Sequence, residues 1–183
     1  MMKTIARRRL EAFEREWNYD AGYMHEILDA GGLEALMAVA NLDKISNYRR
    51  DVPAEPYFVA KLVAVREGDC GPCTQLVAAM AERAGVDPAA LRAVLERNPD
   101  ALTEEACLAY EFAEATLARE RSADVLRDHV VAAWGTCGLI SLAYAIAAGG
   151  IYPALKYALG HGQACVRVDV GGAAVPVPAL ATA

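Results

Sequence analysis

Residues 56–85 read PYFVAKLVAVREGDCGPCTQLVAAMAERAG, and this stretch decides the fold. Its first part places Phe58, Leu62 and Val65 at helical spacing, which predicts a helix ahead of the cysteines. Its second part carries Cys70 and Cys73, with two residues between them, and then an alanine-rich run that predicts a second helix over about residues 69–84. The cysteine pair is therefore expected at the start of a helix that follows another helix.

The ends of this second helix have recognisable signals. Asp69 is of the type that caps a helix N-terminus, and Gly85 suits the left-handed position just past a helix C-terminus. With Asp69 as the cap, Cys70 occupies the first helical position and Cys73 lies one turn later. Side chains three residues apart share a face of a helix, so the two sulfurs are expected to open and close a disulfide with little backbone movement.

Composition favours a single all-α domain. The chain has 183 residues, of which 55% are hydrophobic and 7% aromatic, and many of the hydrophobic residues are alanine, the best helix former.

The formal net charge of −6 gives no basic surplus to neutralise phosphates, which argues against a nucleic-acid partner. We expect residues 1–50 to form an N-terminal helical extension, 51–160 the core that bears the cysteines, and 161–183 a short irregular or hairpin C-terminal arm.

The later helices also carry start and stop signals. Asp87 and Pro88 predict a cap and a first helical position, Thr103 starts the next helix, and Ser122 starts a long one. The uncharged run over residues 130–155 is long enough to span a bilayer, but glycines 149 and 150 and a proline at 153 interrupt it. It is interpreted as a buried helix followed by a turn and a short last helix, with no membrane partner.

The five cysteines favour reactive rather than structural chemistry. The N-terminal sequence lacks the apolar region of a signal peptide, so a reducing cytoplasm is the expected location, where a close cysteine pair is more often catalytic or metal-binding. A zinc site is disfavoured because no second pair exists and His25, His129 and His161 are scattered. Two inert cysteines remain the structural alternative. Cys107 and Cys137 lie on apolar helix faces and are interpreted as small buried hydrophobes.

The tetrapeptide CGPC at residues 70–73 also occurs in thioredoxins, but there it follows a buried strand, and here a helix precedes it. The run from Val63 to Gly160 instead resembles the AhpD-like superfamily of carboxymuconolactone decarboxylases and alkylhydroperoxidases. The matching order is an apolar helix, GDCGPCTQLVAAMAERAGV, a short capped helix, LTEEACLAYEFAEATL, and a long alanine-rich helix ending in ALG.

This resemblance implies an all-α helical bundle that forms a homo-oligomer (a trimer, hexamer or dimer) and reduces hydroperoxides with a dithiol. It assigns Cys73 as the thiol that attacks peroxide and Cys70 as the resolving thiol. The helix-dipole argument alone does not choose between them and slightly favours Cys70 as the thiolate. The sequence requires no cofactor and no metal for this chemistry.

The sequence departs from the family pattern at two positions. Val77 occupies the place of a histidine one turn after the second cysteine, and Phe58 lies where a glutamate is expected. Both departures remove parts of a proton relay. Glu67 is the candidate substitute base, against the alternative of a solvated carboxylate at a helix end. Thr74 or Gln75 can supply a hydrogen bond, and His129 can approach from another helix or subunit, although an ordinary surface or core role is the commoner one.

The leading hypothesis is therefore a cytoplasmic dithiol oxidoreductase that reduces a small hydroperoxide through a reversible Cys70–Cys73 disulfide. Its electron donor is expected to be a thiol or dithiol. Two rivals remain open at this level: a thiol–disulfide exchange protein without peroxidase activity, and a non-catalytic helical assembly protein.

Overall fold

The computed structural model describes residues 2–178 and shows an all-α fold with a short C-terminal hairpin. The helices are α1 (Met2–Trp17), α2 (Gly22–Glu26), α3 (Gly32–Ala40), α4 (Asp43–Ser46), α5 (Ala54–Glu67), α6 (Gly71–Arg83), α7 (Pro88–Leu95), α8 (Glu104–Ala118) and α9 (Ser122–Ala158). A π-helical turn (Ile27–Gly31) joins α2 to α3, and a 3₁₀ turn (Pro99–Ala101) precedes α8. The strands are β1 (Arg167–Val170) and β2 (Ala173–Pro176).

Helix α5 is the central element of the core. It packs against α6, α7, α8 and α9, and its residues are buried around nearly the whole circumference. A helix that is apolar on all sides is stable only when other elements surround it, and the sequence of α5 meets that description apart from its charged residues. Two of those charged residues, Lys61 and Arg66, are buried with it.

The predicted helix signals in the middle of the chain are confirmed. The Asp87 carboxylate accepts a hydrogen bond from the Ala89 N–H at 2.8 Å, with Pro88 in the first helical position. The Thr103 hydroxyl accepts one from the Ala106 N–H at 3.3 Å and begins α8. These caps satisfy N–H groups that have no partner within their own helices.

The prediction of a turn at glycines 149 and 150 is wrong, since α9 continues to Ala158. The physical reason is close packing, because a Cβ at Gly149 would lie only 2.5 Å from the Cβ of Ala64. Glycine at this position lets α5 and α9 approach each other closely and does not end the helix. The interruption falls earlier, at Gly135, whose φ of 68° and ψ of −178° are not helical. A side chain disfavours that conformation, so Gly135 is the hinge of a sharp kink.

By length and composition alone, α9 also resembles a membrane-spanning helix, as core helices of soluble proteins often do; 39% of its most apolar stretch is buried inside the protein. Its buried side packs on α5 and α8, as expected for a core helix.

The N-terminal segment covers the core loosely. Helix α1 has no buried residue, and its Ile5 is 48% exposed. Phe13 and Trp17 of the same helix pack against a small cluster built on Tyr19 and Tyr23. The helical segment breaks at glycines 31 and 32, where the π-helical turn ends and α3 begins. The N-terminal segment therefore leaves a cavity between itself and the core helices.

The C-terminal hairpin is confirmed. Strands β1 and β2 pair antiparallel, with Arg167 opposite Pro176 and Val170 opposite Ala173, and glycines 171 and 172 form the turn. The hairpin lies on α6 and α7. The Gln75 side chain fixes it there by donating to the Asp169 carbonyl at 3.0 Å and accepting from the Asp169 N–H at 2.7 Å.

Candidate dithiol site

Cys70 and Cys73 are joined by a disulfide, with their Cα atoms 5.2 Å apart. The prediction that Asp69 caps the helix is wrong: Cys70 is the cap, and its Sγ accepts a hydrogen bond from the Cys73 N–H at 3.3 Å. Asp69 has a left-handed φ of 48°, and its carboxylate instead accepts from the Cys165 N–H at 2.9 Å. The helix N-terminus therefore acts directly on a sulfur atom.

The start of the C-terminal arm holds the cysteine turn in place. The Gly71 N–H donates to the Gln163 carbonyl at 2.9 Å, and the Tyr157 hydroxyl donates to the Asp69 carbonyl at 2.9 Å. A Cβ at Gly71 would lie 2.9 Å from the Ala164 carbonyl oxygen, so this position accepts only glycine without a shift of the arm. The first of the two residues between the cysteines is thus fixed by packing.

A third cysteine lies beside the pair. Cys165 is buried in the same core cluster as Cys70 and Cys73, and its burial raises the pKa of its thiol. Cys165 could not be assigned to the site from the sequence, because it lies far along the chain from Cys70 and Cys73 and belongs to no motif. The predicted burial of Cys107 and Cys137 is wrong, since both are only partly buried, on outward-facing sides of α8 and α9.

The two sulfurs of the disulfide differ in access. Cys70 is 0% exposed and Cys73 is 4% exposed. Cys73, but not Cys70, lines a cavity of about 620 Å³ between the N-terminal segment and helices α5, α6 and α9. Most of the lining is apolar and includes Leu10, Phe13, Leu33, Leu36, Leu76 and Met80. Any small molecule in this cavity meets Cys73 before Cys70.

A buried amine also lines this cavity. Lys61 on α5 is 4% exposed, and its Nζ donates to the Ser46 carbonyl at 2.6 Å, an oxygen that the Tyr57 hydroxyl also contacts at 2.6 Å. Burial lowers the pKa of Lys61 to about 8, although the nearby Asp43 carboxylate opposes that shift. Asp43 accepts a hydrogen bond from the Tyr152 hydroxyl at 2.9 Å. The cavity therefore has a polar region on an otherwise apolar wall.

Glu67, the candidate base, faces arginines. Its Oε1 accepts from Arg66 Nε at 3.0 Å, Arg66 Nη2 at 2.9 Å and Arg97 Nη2 at 2.7 Å. Arg66 Nη2 also donates to Glu114 at 2.7 Å. The structure brings Cys70 and Cys73 together but places the Glu67 carboxylate in this ion-pair network, so a role as base stays a prediction.

The other candidate hydrogen-bonding groups have separate partners. The Thr74 hydroxyl donates to the Cys70 carbonyl at 2.9 Å and so supports the cysteine turn, whereas Gln75 holds the arm. His129 is exposed on α9, and His25 and His161 lie 3.2 and 2.7 Å from Glu14 and Glu26. Within residues 2–178, no group of three or more histidine, cysteine and acidic residues is placed to hold a metal ion.

Sequence reasoning missed Lys61 and the cavity. The available signal was a lysine inside the apolar run PYFVAKLVAV. Lysine is rarely buried unless its charge is paired, so a lysine in the middle of a buried helix indicates a specific role. The cavity itself gave no such signal, since its walls come from segments far apart in the chain.

Fold and site together define an all-α protein with a disulfide-bonded cysteine pair at the N-terminus of a core helix. Comparison of the chain with models of protein families, with curated proteins and with solved structures gives no match. Membership of the AhpD-like superfamily therefore stays a hypothesis that rests on the sequence pattern.

Proposed function

We propose that this protein is a dithiol oxidoreductase that reduces an organic hydroperoxide, with Cys73 as the attacking thiol and Cys70 as the resolving thiol. One observation carries the proposal: the two cysteines lie at disulfide distance at a helix N-terminus, and Cys73 alone of the pair lines the cavity. The resemblance noted in the sequence gives the same assignment of the two thiols.

The proposed reaction has two steps. The Cys73 thiolate attacks the terminal oxygen of the hydroperoxide, the O–O bond breaks, and the alkoxide takes a proton to leave as an alcohol. Cys73 is then a sulfenic acid. Cys70 attacks its sulfur, the S–O bond breaks, and water leaves as the Cys70–Cys73 disulfide forms. The protein loses two electrons and the hydroperoxide gains them.

A thiol or dithiol donor restores the reduced form. Its thiolate attacks the sulfur of Cys73, the cysteine that lines the cavity, and expels Cys70 as a thiolate. The Cys73 N–H already points at the Cys70 sulfur at 3.3 Å, and it would stabilise that leaving thiolate together with the helix dipole. The place of Cys73 on the cavity and the stabilisation of the Cys70 thiolate both favour attack of the donor on Cys73 with Cys70 as the leaving group.

Thiol–disulfide exchange without peroxidase activity is the second candidate. The observation in its favour is that Val77 replaces the histidine of the family pattern, and no histidine in residues 2–178 is hydrogen-bonded to either cysteine. Cleavage of an O–O bond benefits from a proton donor to the leaving alkoxide, whereas exchange with a disulfide does not need one.

Chemical trapping of the sulfenic acid tests the proposal. Variants Cys70→Ser and Cys73→Ser, each with Cys107, Cys137 and Cys165 also replaced by serine, are treated with an organic hydroperoxide and a sulfenic-acid-specific dione. We expect an adduct on Cys73 in the Cys70→Ser protein and none on Cys70 in its counterpart. An adduct on neither variant, with both still exchanging with a disulfide, would establish the second candidate instead.

A further inference from the structure

We propose that the cavity beside Cys73 binds the anion of a long-chain carboxylic acid, with its carboxylate at Lys61 and its alkyl chain along the apolar wall. This inference rests on the proposed function and deepens it, because it assigns the substrate as a hydroperoxide of such an acid. The binding claim can also be tested without any redox step.

The size and lining of the cavity fit an alkyl chain. Its volume of about 620 Å³ lies in the range of small-molecule sites, which are concave, mostly apolar and carry a few polar groups that fix orientation. Here the apolar groups come from six different helices, and three of the polar lining residues are linked to Lys61: Ser46 accepts its hydrogen bond, the Asp43 carboxylate lies near it, and Tyr152 bonds to Asp43. That division matches a molecule with a long apolar body and one polar end.

The Lys61 amine is a charge that needs a partner. An ammonium group has three N–H donors, and the Ser46 carbonyl is the acceptor found for Lys61 in the described chain. Buried cations are ordinarily paired with anions, because desolvation is otherwise uncompensated. A bound carboxylate would supply both the negative charge and the acceptors for the remaining donors.

The charges around the cavity also favour an anion. Its lining contains two cationic side chains, Arg9 and Lys61, and one carboxylate, Asp43, which already accepts the Tyr152 hydroxyl. The whole chain carries a formal charge of −6, so a cavity lined with net positive charge contrasts with the rest of the molecule. A cationic amphiphile would meet repulsion at the same place.

The position of Lys61 leads toward the thiol. Val65 lies one helical turn beyond Lys61 on α5 and also lines the cavity, as does Cys73 on the adjacent helix α6. A chain anchored by its carboxylate at Lys61 therefore extends past Cys73. A hydroperoxide on the chain, rather than at the carboxylate end, is the group that would reach the sulfur.

Calorimetric titration of the oxidised full-length protein tests the binding claim, with dodecanoate, dodecanol and dodecyltrimethylammonium as probes. We expect dodecanoate to bind about tenfold or more tightly than dodecanol, and the cation to bind weakest, since a charge-assisted hydrogen bond contributes roughly this much. Lys61→Met should reduce dodecanoate affinity to that of dodecanol. The matched control Lys44→Met, at an exposed lysine on α4, should leave it unchanged.

The parent protein provides a second measurement that does not depend on how the variant folds. Dodecanoate affinity should fall as pH rises through 8, where Lys61 loses its proton, and dodecanol affinity should not. The other titratable or charged groups around the cavity are Arg9, Asp43 and the phenols of Tyr19, Tyr23, Tyr57 and Tyr152. Burial raises the pKa of all four phenols, so none of them ionises in this range. Equal affinities for dodecanoate and dodecanol at all pH values would overturn the inference.

The outcomes separate the two proposals. Tight, Lys61-dependent dodecanoate binding without sulfenic acid formation would refute the peroxidase function and leave the cavity assignment standing. Sulfenic acid formation at Cys73 without preference for the carboxylate would support the peroxidase function and refute the cavity assignment.

Discussion

Two buried cations on helix α5 differ in how their charge is compensated. Arg66 is 1% exposed and donates to Glu67, Glu114 and the Val94 carbonyl. Lys61, five residues earlier, donates to a backbone carbonyl and has only a more distant carboxylate nearby. Residues of the same charge on one helix therefore serve different purposes: one joins helices, and the other faces a cavity.

The network around Arg66 is expected to be important for stability. Arg66→Met removes every hydrogen bond of the guanidinium and leaves the Val94 carbonyl buried without that donor, although Arg97 still pairs with Glu67. We expect a loss of about 2–4 kcal/mol in the free energy of unfolding, measured by urea denaturation. The control Arg83→Met removes an exposed pair with Glu16 and should cost less than about 1 kcal/mol. Equal effects would contradict a structural role for the buried network.

Lys61 should give the protein a characteristic pH dependence of stability. Its folded-state pKa of about 8 is below the ordinary value of 10.5, so between these values the unfolded chain binds more protons and stability rises with pH. Relative to Lys61→Met, the parent should gain about 1.5 kcal/mol between pH ~8 and ~9.5. The comparison with the variant removes the contributions of other groups. Parallel curves for the two proteins would contradict the burial of a titrating amine.

At the scale of the elements, α9 shows two uses of glycine. Gly135 has a left-handed φ of 68° at the kink, whereas Gly150 lies inside the continuous part of the helix with open space where a Cβ would be. Gly135→Ala should therefore destabilise the protein by about 1–2 kcal/mol, and Gly150→Ala should stabilise it by up to about 1 kcal/mol. Thermal unfolding of the two variants checks both signs. Stabilisation by alanine at residue 135 would contradict the kink.

The sequence predicted the elements better than their junctions. The caps at Asp87 and Thr103 were predictable because a side-chain oxygen bonds to N–H groups two or three residues away. The cap at Cys70 was not, because the competing residue Asp69 is held by the distant Cys165 N–H. Likewise, Gly149 has the sequence signature of a break, and only the approach of Ala64 shows why it is there. Local signals are legible in the sequence, and contacts between distant segments are not.

At the scale of the whole molecule, the candidate site was half predictable. The cysteine pair is a local motif and was found, whereas the cavity, Lys61 and Cys165 depend on how the N-terminal segment and the arm fold back on the core. Such long-range placement leaves no periodic pattern in one sequence.

Self-association is the proposed state of the molecule in solution. Helix α9 exposes Val131 and Ile140 at 38% and 37%, which a homo-oligomer would cover. We expect the parent to sediment as a dimer, trimer or hexamer, and Val131→Lys with Ile140→Lys to shift it toward monomer. Val166→Lys, on the 73% exposed arm residue, is the control and should not change the sedimentation. A monomeric parent would contradict this proposal.

The most direct test of the central claim is the intact mass of the reduced protein before and after one equivalent of an organic hydroperoxide, followed by peptide mapping. We expect a loss of about 2 Da, reversible by dithiothreitol and located in a Cys70–Cys73 disulfide, with one alcohol formed per disulfide. An unchanged mass, or stable addition of oxygen to Cys107 or Cys137 with the Cys70–Cys73 pair left reduced, would contradict it.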